Sequence, residues 1–331
     1  MHNKILEKFY IVYINLTKIN FFAKTYCIII LNVIQCEHPK NKPQNKNRKG
    51  KQKMKKIISL ILCVAMCFTF ALALTSCGED AANTKIAIQS GTTSEAYAKV
   101  LKGVEVVSFD TFALAAQGMK NGNADYVFVD KTTANALCKE ISGLKIIDIA
   151  LSSELYGIGI DPAQKELKTQ IDNILATKAT EIEAIKAKYM NGEKTAYVGV
   201  ESAVKDTQKA DKQLVVATNA EFAPWEYKEG NLYYGIDMEI AKLIATELGL
   251  ELVIDDMAFN MVVGAVGNHG VDIAMSGITI TAERMDVVNF STPYYTESIV
   301  IVCKADDKTF NSAGTVVDLL TAICYPAEDA E

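Results

Sequence analysis

One pattern occurs twice in this chain and constrains its fold more than any other feature. A predicted helix is followed by glycine, one or two residues, aspartate and then an apolar strand, once at 122–129 and again at 270–275. Such short apolar runs are typical of buried parallel strands. The sequence therefore predicts an α/β protein with two strand-helix-strand-helix-strand units, whose ligand-type residues lie on loops after strands.

The loop at 276–284 follows the second of these strands and is rich in hydrogen-bond donors, which include Ser276, Gly277, Thr279 and Arg284. Exposed amides, threonine hydroxyls and a guanidinium complement a small carboxylate. From residue 77 onward the sequence has 20 Lys but only one Arg, Arg284, which favours a site where a planar bidentate fork matters. Spacing alone also allows a surface arginine on a short predicted helix at 282–288.

The other unit contributes a second anion-binding feature and an acid. Thr92 and Glu95 have the spacing of a capping box, so the helix that follows Gln89 starts with free amides directed at the loop. In the run 122–130 a predicted strand ends on Asp130, at the sheet edge where α/β folds place ligands, and a carboxylate there suits an ammonium group. An equally simple alternative makes Asp130 the N-cap of the next helix.

The net charge of −6 conceals a strong asymmetry. Residues 1–76 carry a net charge of +11, and residues 77–331 carry −17. Phosphate repels so acidic a surface, which argues against nucleic acid as a partner.

The boundary between these two regimes resembles a bacterial lipoprotein signal. Two lysines precede the apolar run 57–74, and Leu-Thr-Ser then leads into Cys77. We therefore expect a signal peptide at 54–76, lipidation of Cys77 and a tether at 77–84. The alternative is a membrane-spanning helix, for which the run is just long enough.

Residues 1–53 match no module. They are rich in Lys, Asn, Ile, Phe and Tyr and contain no Asp. A signal peptide placed 53 residues into a chain is poorly positioned, so we interpret 1–53 as a non-native upstream extension, with Met54 as the true start. A genuine basic extension is the alternative.

No metal or cofactor site is predicted. Beyond Cys77 the chain has three scattered cysteines, Cys138, Cys303 and Cys324, and one histidine, His269. No CxxC pair or histidine cluster occurs there, and scattered thiols are typical of core residues.

Five motifs together resemble the amino-acid-binding proteins of bacterial ABC importers, the family 3 extracellular solute-binding proteins, over about 85–307. The motifs are GlnSerGlyThrThr at 89–93, PheAlaProTrpGluTyr at 222–227, TyrGlyIleAsp at 234–237, SerGlyIleThrIleThr with GluArg at 276–284, and PheSerThrProTyrTyr at 290–295. The resemblance implies a two-lobed periplasmic-binding-protein-like (type II) α/β fold. It also implies a non-enzymatic receptor that captures a free, polar amino acid, delivers it to ABC permease subunits, and is lipid-anchored at the cell surface or on the periplasmic side of the cytoplasmic membrane.

The resemblance also implies roles for individual residues. Arg284 would hold the ligand α-carboxylate, helped by Thr279, the Ser276–Gly277 region and, from the other lobe, the loop after Gln89. The remaining implied ligand contacts are Thr92 and Thr93 for the carboxylate, Asp130 for the ammonium group, and Phe222 and Phe259 beside the side chain. The position of Asn219 often carries an acid in this family, so its neutrality leaves the preferred side chain open.

The lobe order is rotated relative to that family. The second-lobe unit (85–155) and the crossing strand with return helices (156–190) precede a linker (191–213), the first-lobe unit (214–297), a crossing strand (298–306) and a weakly structured tail (307–331). We expect either a circular permutant or a tandem array cut short.

Two other functions remain open from the sequence. Some proteins of this fold are cyclohexadienyl dehydratases, for which Glu221 or Asp130 could supply an acid, although neither has a His or Ser partner. The third possibility is a ligand sensor or a non-functional fragment.

Overall fold

A computed structural model of the chain describes residues 84–268 and 270–325, all within one compact unit. The expectations for 1–53, the signal peptide at 54–76 and lipidation at Cys77 fall outside these residues, as does His269. Within the described part, no helix combines the length and apolarity needed to cross a membrane.

The described elements alternate between strands and helices along the chain. The strands are β1 (Thr84–Gln89), β2 (Val104–Phe109), β3 (Tyr126–Asp130), β4 (Leu144–Ile147), β5 (Glu154–Tyr156), β6 (Gly159–Ile160), β7 (Gln213–Thr218), β8 (Glu221–Phe222), β9 (Glu226–Glu229), β10 (Leu232–Tyr234), β11 (Glu251–Asp256), β12 (Ile273–Ala274), β13 (Asn289–Phe290), β14 (Tyr295–Glu297) and β15 (Ile299–Lys304). The helices are α1 (Thr93–Lys99), α2 (Phe112–Lys120), α3 (Lys131–Glu140), α4 (Lys165–Thr177), α5 (Ala179–Met190), α6 (Ile236–Leu248), α7 (Phe259–Ala265), α8 (Ala282–Met285) and α9 (Val316–Cys324).

Two five-stranded sheets define two lobes. Lobe A has the strand order β2-β1-β3-β15-β4, and lobe B has β11-β7-β12-β6-β13. In each sheet the first three strands are parallel, and the fourth is antiparallel to its neighbours. The predicted two-lobed α/β architecture is thereby confirmed.

Each lobe takes its antiparallel strand from the other half of the chain. The chain leaves lobe A through β5 and enters lobe B as β6, and it returns through β14 to lobe A as β15. β5 and β14 pair with each other, with Tyr156 opposite Tyr295 and Glu154 opposite Glu297. These two crossing strands form the hinge between the lobes.

Helices α4 and α5 pack against α6 of lobe B. The apolar face of α4 is buried through Ile171, Ile174 and Leu175, at the three- and four-residue spacing predicted for it. The linker at 191–213 also lies on lobe B, where Val200 pairs with Tyr233. It contains two short 3₁₀ turns, Lys194–Ala196 and Thr207–Lys212.

The expectation of a weakly structured tail is wrong for α9. Thr315 and Asp318 form a capping box at its N-terminus, which stabilises the first turn. Leu319, Leu320 and Ile323 are buried in the core of lobe A, because apolar residues recur on one helix face. The three-residue spacing of Thr315 and Asp318 in the sequence is that of a capping box.

A cluster of aromatic side chains packs around the two hinge strands. Trp225 is fully buried, and its ring lies 5.0 Å from that of Tyr156 and 4.7 Å from that of Tyr295. Its indole Nε1 donates to Thr132 Oγ1 in lobe A at 2.9 Å. A lobe B side chain thus contacts both crossing strands and the far lobe, which orients the two sheet edges towards each other.

Candidate functional site

The loops that follow the strands of both lobes meet at a central pocket. This central pocket is lined by Gln89, Thr92, Thr93, Phe112, Asp130, Phe222, Phe259, Ser276, Gly277, Thr279 and Arg284. Every amino-acid-ligand contact predicted from the sequence is in this set except Asn219. In particular, Arg284 of lobe B and Asp130 of lobe A share the pocket.

On lobe A, Thr92 and Thr93 have different tasks. Thr92 Oγ1 accepts from the amide of Glu95 and so caps α1, while Glu95 accepts from the amide of Gly91 at 2.7 Å. Thr92 also donates to Gln89 O at 2.7 Å. The Thr93 hydroxyl instead donates to Glu154 at 2.7 Å. The cap is therefore local, and only Thr93 reaches across to the hinge.

Asp130 does not use its side chain as a helix cap. It occupies the N-cap position of α3 but makes no capping hydrogen bond. Its Oδ1 is buried and has no hydrogen-bond partner among the described residues. Burial raises the pKa of Asp130 well above its usual range, and the charges of Glu154 and Glu297 add to that effect. The Tyr156 hydroxyl acts in the opposite direction and lowers that pKa. The geometry thus disfavours the capping alternative and places a buried carboxyl group, with one oxygen that makes no hydrogen bond among the described residues, on the pocket wall.

On lobe B, hydrogen bonds to two buried acids hold the Ser276–Gly277 turn in place. Ser276 Oγ donates to Glu226 at 2.6 Å, and the amide of Gly277 donates to Asp237 at 2.8 Å. Gly277 has φ +52°, and a Cβ there would lie 2.7 Å from the Phe222 ring, so glycine is required. The expectation that the Gly277 amide points into solvent to bind a carboxylate is wrong, because Asp237 already accepts its proton.

Glu226 and Asp237 form a fully buried acid pair behind this turn. Tyr294 donates to Asp237 at 2.8 Å. Burial raises the pKa of Asp237 to about 7. The pKa of Glu226 is also well above its usual range, because of burial and the nearby charge of Asp237. Two adjacent buried carboxyls favour a state in which one of them keeps its proton.

Arg284 connects the two lobes. Its Nη1 donates to Thr279 O at 2.9 Å, and its Nη2 donates to Gly91 O in lobe A at 3.0 Å. The guanidinium carbon lies 5.6 Å from the centre of the Phe259 ring, within the range of a cation–π contact. These contacts rule out the alternative of an ordinary surface arginine, and they place Phe259 against the guanidinium.

Asn219 does not line the central pocket, but it contacts a residue that does. Its Oδ1 accepts from Gln89 Nε2 across the lobes at 3.0 Å, and its Nδ2 donates to Met257 O at 3.0 Å. The rings of Phe112 and Phe222, one from each lobe, are 5.7 Å apart. The lobes therefore meet through the site residues themselves.

The enclosed space is small because of these contacts. The central pocket has a cavity of about 10 Å³, roughly the room needed for one water molecule. A wider cleft of about 450 Å³ adjoins it between α1 and the α7–α8 region and shares Thr92, Thr93, Phe259 and Arg284. Any ligand larger than water requires the lobes to separate along this cleft before they close around it.

Two residues at the site were not singled out in the sequence. Phe112 begins α2 and has the pattern of a core residue. Glu154 lies on β5, is 8% exposed and accepts from Thr279 Oγ1 at 2.6 Å. No local motif marks Glu154, because its partners come from both lobes. Among the described residues, no cluster of His, Cys, Asp and Glu could hold a metal ion.

Comparisons with known proteins agree with this architecture. Residues 214–325 match the model of the bacterial extracellular solute-binding proteins, family 3. The arginine-binding extracellular protein ArtP of Bacillus subtilis is 41% identical over 100 residues, which cover 30% of this chain and 39% of ArtP. The cyclohexadienyl dehydratase of Pseudomonas aeruginosa is 37% identical over 82 residues, which cover 24% and 31% of the two chains.

A solved structure, the arginine-bound form of domain 1 from TmArgBP, has 34% identity, covers 36% of this chain and 94% of that chain, and superposes with a TM-score of 0.26. The chain spans about two fifths of the length of the curated relatives it matches. The resemblance stated from the motifs is confirmed for residues 214–325, which are similar to the bacterial extracellular solute-binding proteins, family 3.

Proposed function

We propose that this protein captures a free polar amino acid and presents it to the permease of an ABC importer. One observation carries the proposal: Arg284 and Asp130, from opposite lobes, line a single pocket. An amino acid is a zwitterion, and a guanidinium opposite a carboxylate complements both of its charges.

The binding step exchanges contacts that Arg284 already makes. Its two Nη groups donate to the carbonyls of Thr279 and Gly91, and a ligand carboxylate would replace at least one of these with a charge-assisted bond. Each such bond is worth about 1.5–3 kcal/mol. The ammonium group would reach Asp130 only when the lobes close, so the ligand selects the closed state.

The acidity of the pocket supports a ligand with additional positive charge. Asp130, Glu154 and Glu297 are all buried, and the first two act electrostatically on Arg284. Two buried acids close to one guanidinium favour a cationic ligand side chain over an anionic one. Because several relatives carry arginine in their names, L-arginine is the first ligand to test.

Delivery to a membrane permease and anchoring through Cys77 belong to the same proposal. They are supported by the family description and by the signal-like sequence before Cys77. If the protein is anchored in this way, Cys77→Ser should move it from the membrane fraction to the soluble fraction of its native host. Unchanged fractionation would contradict the anchor alone.

Of the two acids considered for the dehydratase alternative, Asp130 lines the central pocket but Glu221 does not. Glu221 is exposed on β8, outside the set that lines the central pocket. Turnover of prephenate by the purified protein, measured by ultraviolet absorbance of the aromatic product, would favour that activity over binding alone.

A thermal-shift screen of the full chain against the common amino acids tests the proposed function. We expect L-arginine or another polar amino acid to raise the melting temperature in a concentration-dependent way, since a ligand that binds only the folded state stabilises it. A cooperative melt that no amino acid shifts would contradict the proposal. The absence of a cooperative melt would favour the non-functional fragment.

A further inference from the structure

Glu154 receives hydrogen bonds from both lobes on one oxygen. Thr93 Oγ1 of lobe A donates to Glu154 Oε2 at 2.7 Å, and Thr279 Oγ1 of lobe B donates to the same atom at 2.6 Å. The other oxygen, Oε1, accepts from Ser152 Oγ at 3.1 Å. A buried carboxylate on the hinge strand therefore takes the hydroxyl protons of the two pocket threonines.

This arrangement decides what those threonines can offer a ligand. A hydroxyl has one proton and two lone pairs, whereas an ionised carboxylate only accepts. Once Thr93 and Thr279 have donated to Glu154, only their lone pairs remain for the pocket. They can then accept from an ammonium group, but they cannot donate to a carboxylate.

A third acceptor lines the same pocket. Asp130 Oδ1 is buried and has no partner within the described residues, and Asp130 lines the central pocket together with Thr93 and Thr279. An ammonium group has three protons to donate, which matches these three acceptors in number. Arg284 is then the only side chain on the pocket wall whose charge suits a ligand carboxylate.

Building on the proposed function, we propose that Glu154 is a positioning residue that turns Thr93 and Thr279 into acceptors for the ligand ammonium group. This revises the role that the family resemblance implied for the two threonines, which was to help bind the carboxylate. It makes the ammonium group a required part of the ligand and fixes its orientation relative to Arg284.

The test compares three probes by calorimetry on the full chain: L-arginine, agmatine, which lacks the carboxylate, and deaminoarginine, which lacks the ammonium group. The substitution Glu154→Leu removes the oxygen that accepts from both threonines, so their protons become available to the pocket. We expect the ratio of the agmatine to the deaminoarginine dissociation constant to rise about tenfold or more, the usual effect of one charge-assisted hydrogen bond.

Glu297→Gln is the matched control. Glu297 is equally buried beside Asp130, but it accepts from the amide of Thr132 and not from the pocket threonines. It therefore reports the loss of a buried negative charge near Asp130 without a change in the acceptor of the pocket threonines. The proposal requires the ratio to change about tenfold more in Glu154→Leu than in Glu297→Gln, and equal changes in the two variants would overturn it.

A double-mutant cycle checks that Glu154 acts through the threonines. Thr279→Val should alter the ratio in the wild type but have a much smaller effect in Glu154→Leu, because the two changes disrupt one interaction. Independent effects would overturn the proposal even if both variants fold normally. If the wild-type protein binds no amino acid at all, the proposed function fails and this inference fails with it, whereas normal wild-type binding with an unchanged ratio rejects the inference alone.

Discussion

Lobe A and lobe B have the same strand order but present opposite chemistry to the pocket between them. Lobe A contributes a carboxylate with an unpartnered oxygen, Asp130. Lobe B contributes the guanidinium of Arg284, which already donates to two carbonyls. The topology of a sheet therefore places the loops, while the residues on the loops determine the charge that each lobe offers.

The lobes also differ in what supports their pocket loops. Behind the lobe B turn lies the buried pair Glu226 and Asp237, which holds the Ser276–Gly277 backbone. Lobe A instead relies on the capped helix α1 and on an apolar core that α9 completes. We therefore expect the stability that the buried acids give to lobe B to depend on pH, whereas the stability that core packing gives to lobe A should not. The following predictions test this contrast.

The largest effect is expected for Arg284→Ala. Loss of two charge-assisted hydrogen bonds to the ligand should weaken amino-acid binding by about a hundredfold to ten-thousandfold. Calorimetry measures the affinity. The affinity of Arg284→Lys, which keeps the charge but loses the planar fork, should lie between those of Arg284→Ala and the wild type. Binding that survives Arg284→Ala unchanged would reject the assigned pocket.

Next in size is Leu319→Ala in lobe A. Leu319 is fully buried on α9, so truncation should lower the free energy of unfolding by about 2–5 kcal/mol. Val317 on the same helix is 54% exposed. Val317→Ala should therefore change the free energy of unfolding by less than about 0.5 kcal/mol. Equal effects in a urea titration would mean that α9 does not pack on lobe A as described.

Asp130→Asn should separate stability from function. The ammonium group loses its charged partner, so affinity should fall about tenfold to a hundredfold. The raised pKa of Asp130 means that its ionised form is unfavourable in the fold, so the variant should melt at a higher temperature than the wild type at pH 8.

The gain in stability should disappear at acidic pH, where the wild-type carboxyl is also neutral. Asp110→Asn, at an exposed position after β2, is the control and should change neither quantity. A lower melting temperature for Asp130→Asn at pH 8 would show that its charge is not unfavourable.

The smallest predicted effect concerns lobe B and pH. Because burial raises the pKa of Asp237 to about 7 and that of Glu226 well above its usual range, the folded state holds protons that the unfolded chain releases at lower pH. Stability should therefore fall as the pH rises from about 5 to about 8. Glu226→Gln should flatten this slope in melting curves, whereas Val317→Ala in lobe A should leave it unchanged.

Much of this fold was readable from local patterns. β3 ends at Asp130 as predicted, and the shared pocket of Arg284 and Asp130 follows from placing ligand-type residues after parallel strands. The helix at 282–288 was predicted too long, since α8 ends at Met285. Local pattern alone could not decide whether the rotated lobe order reflects permutation or a truncated tandem, and this stays a prediction that a downstream reading frame with a second Ser-Gly-Thr-Thr motif would test.

The misses have physical causes. The Gly277 amide was expected to be free because the sequence does not show that Asp237, 40 residues away, accepts from it. Glu154 is not marked by any sequence motif, because its role depends on two threonines that only the folded lobes bring together. A residue whose role depends on hydrogen-bond partners far away in the sequence cannot be recognised from the residues next to it.

The contact between the two ends of the described chain has a mechanical consequence. The Thr84 hydroxyl on β1 donates to the carbonyl of Ile323 on α9 at 2.7 Å, so both ends lie side by side on lobe A. Anything joined before residue 84 or after residue 325 pulls on that lobe alone. Lobe B can then move about the paired strands β5 and β14 while an attachment on lobe A stays in place.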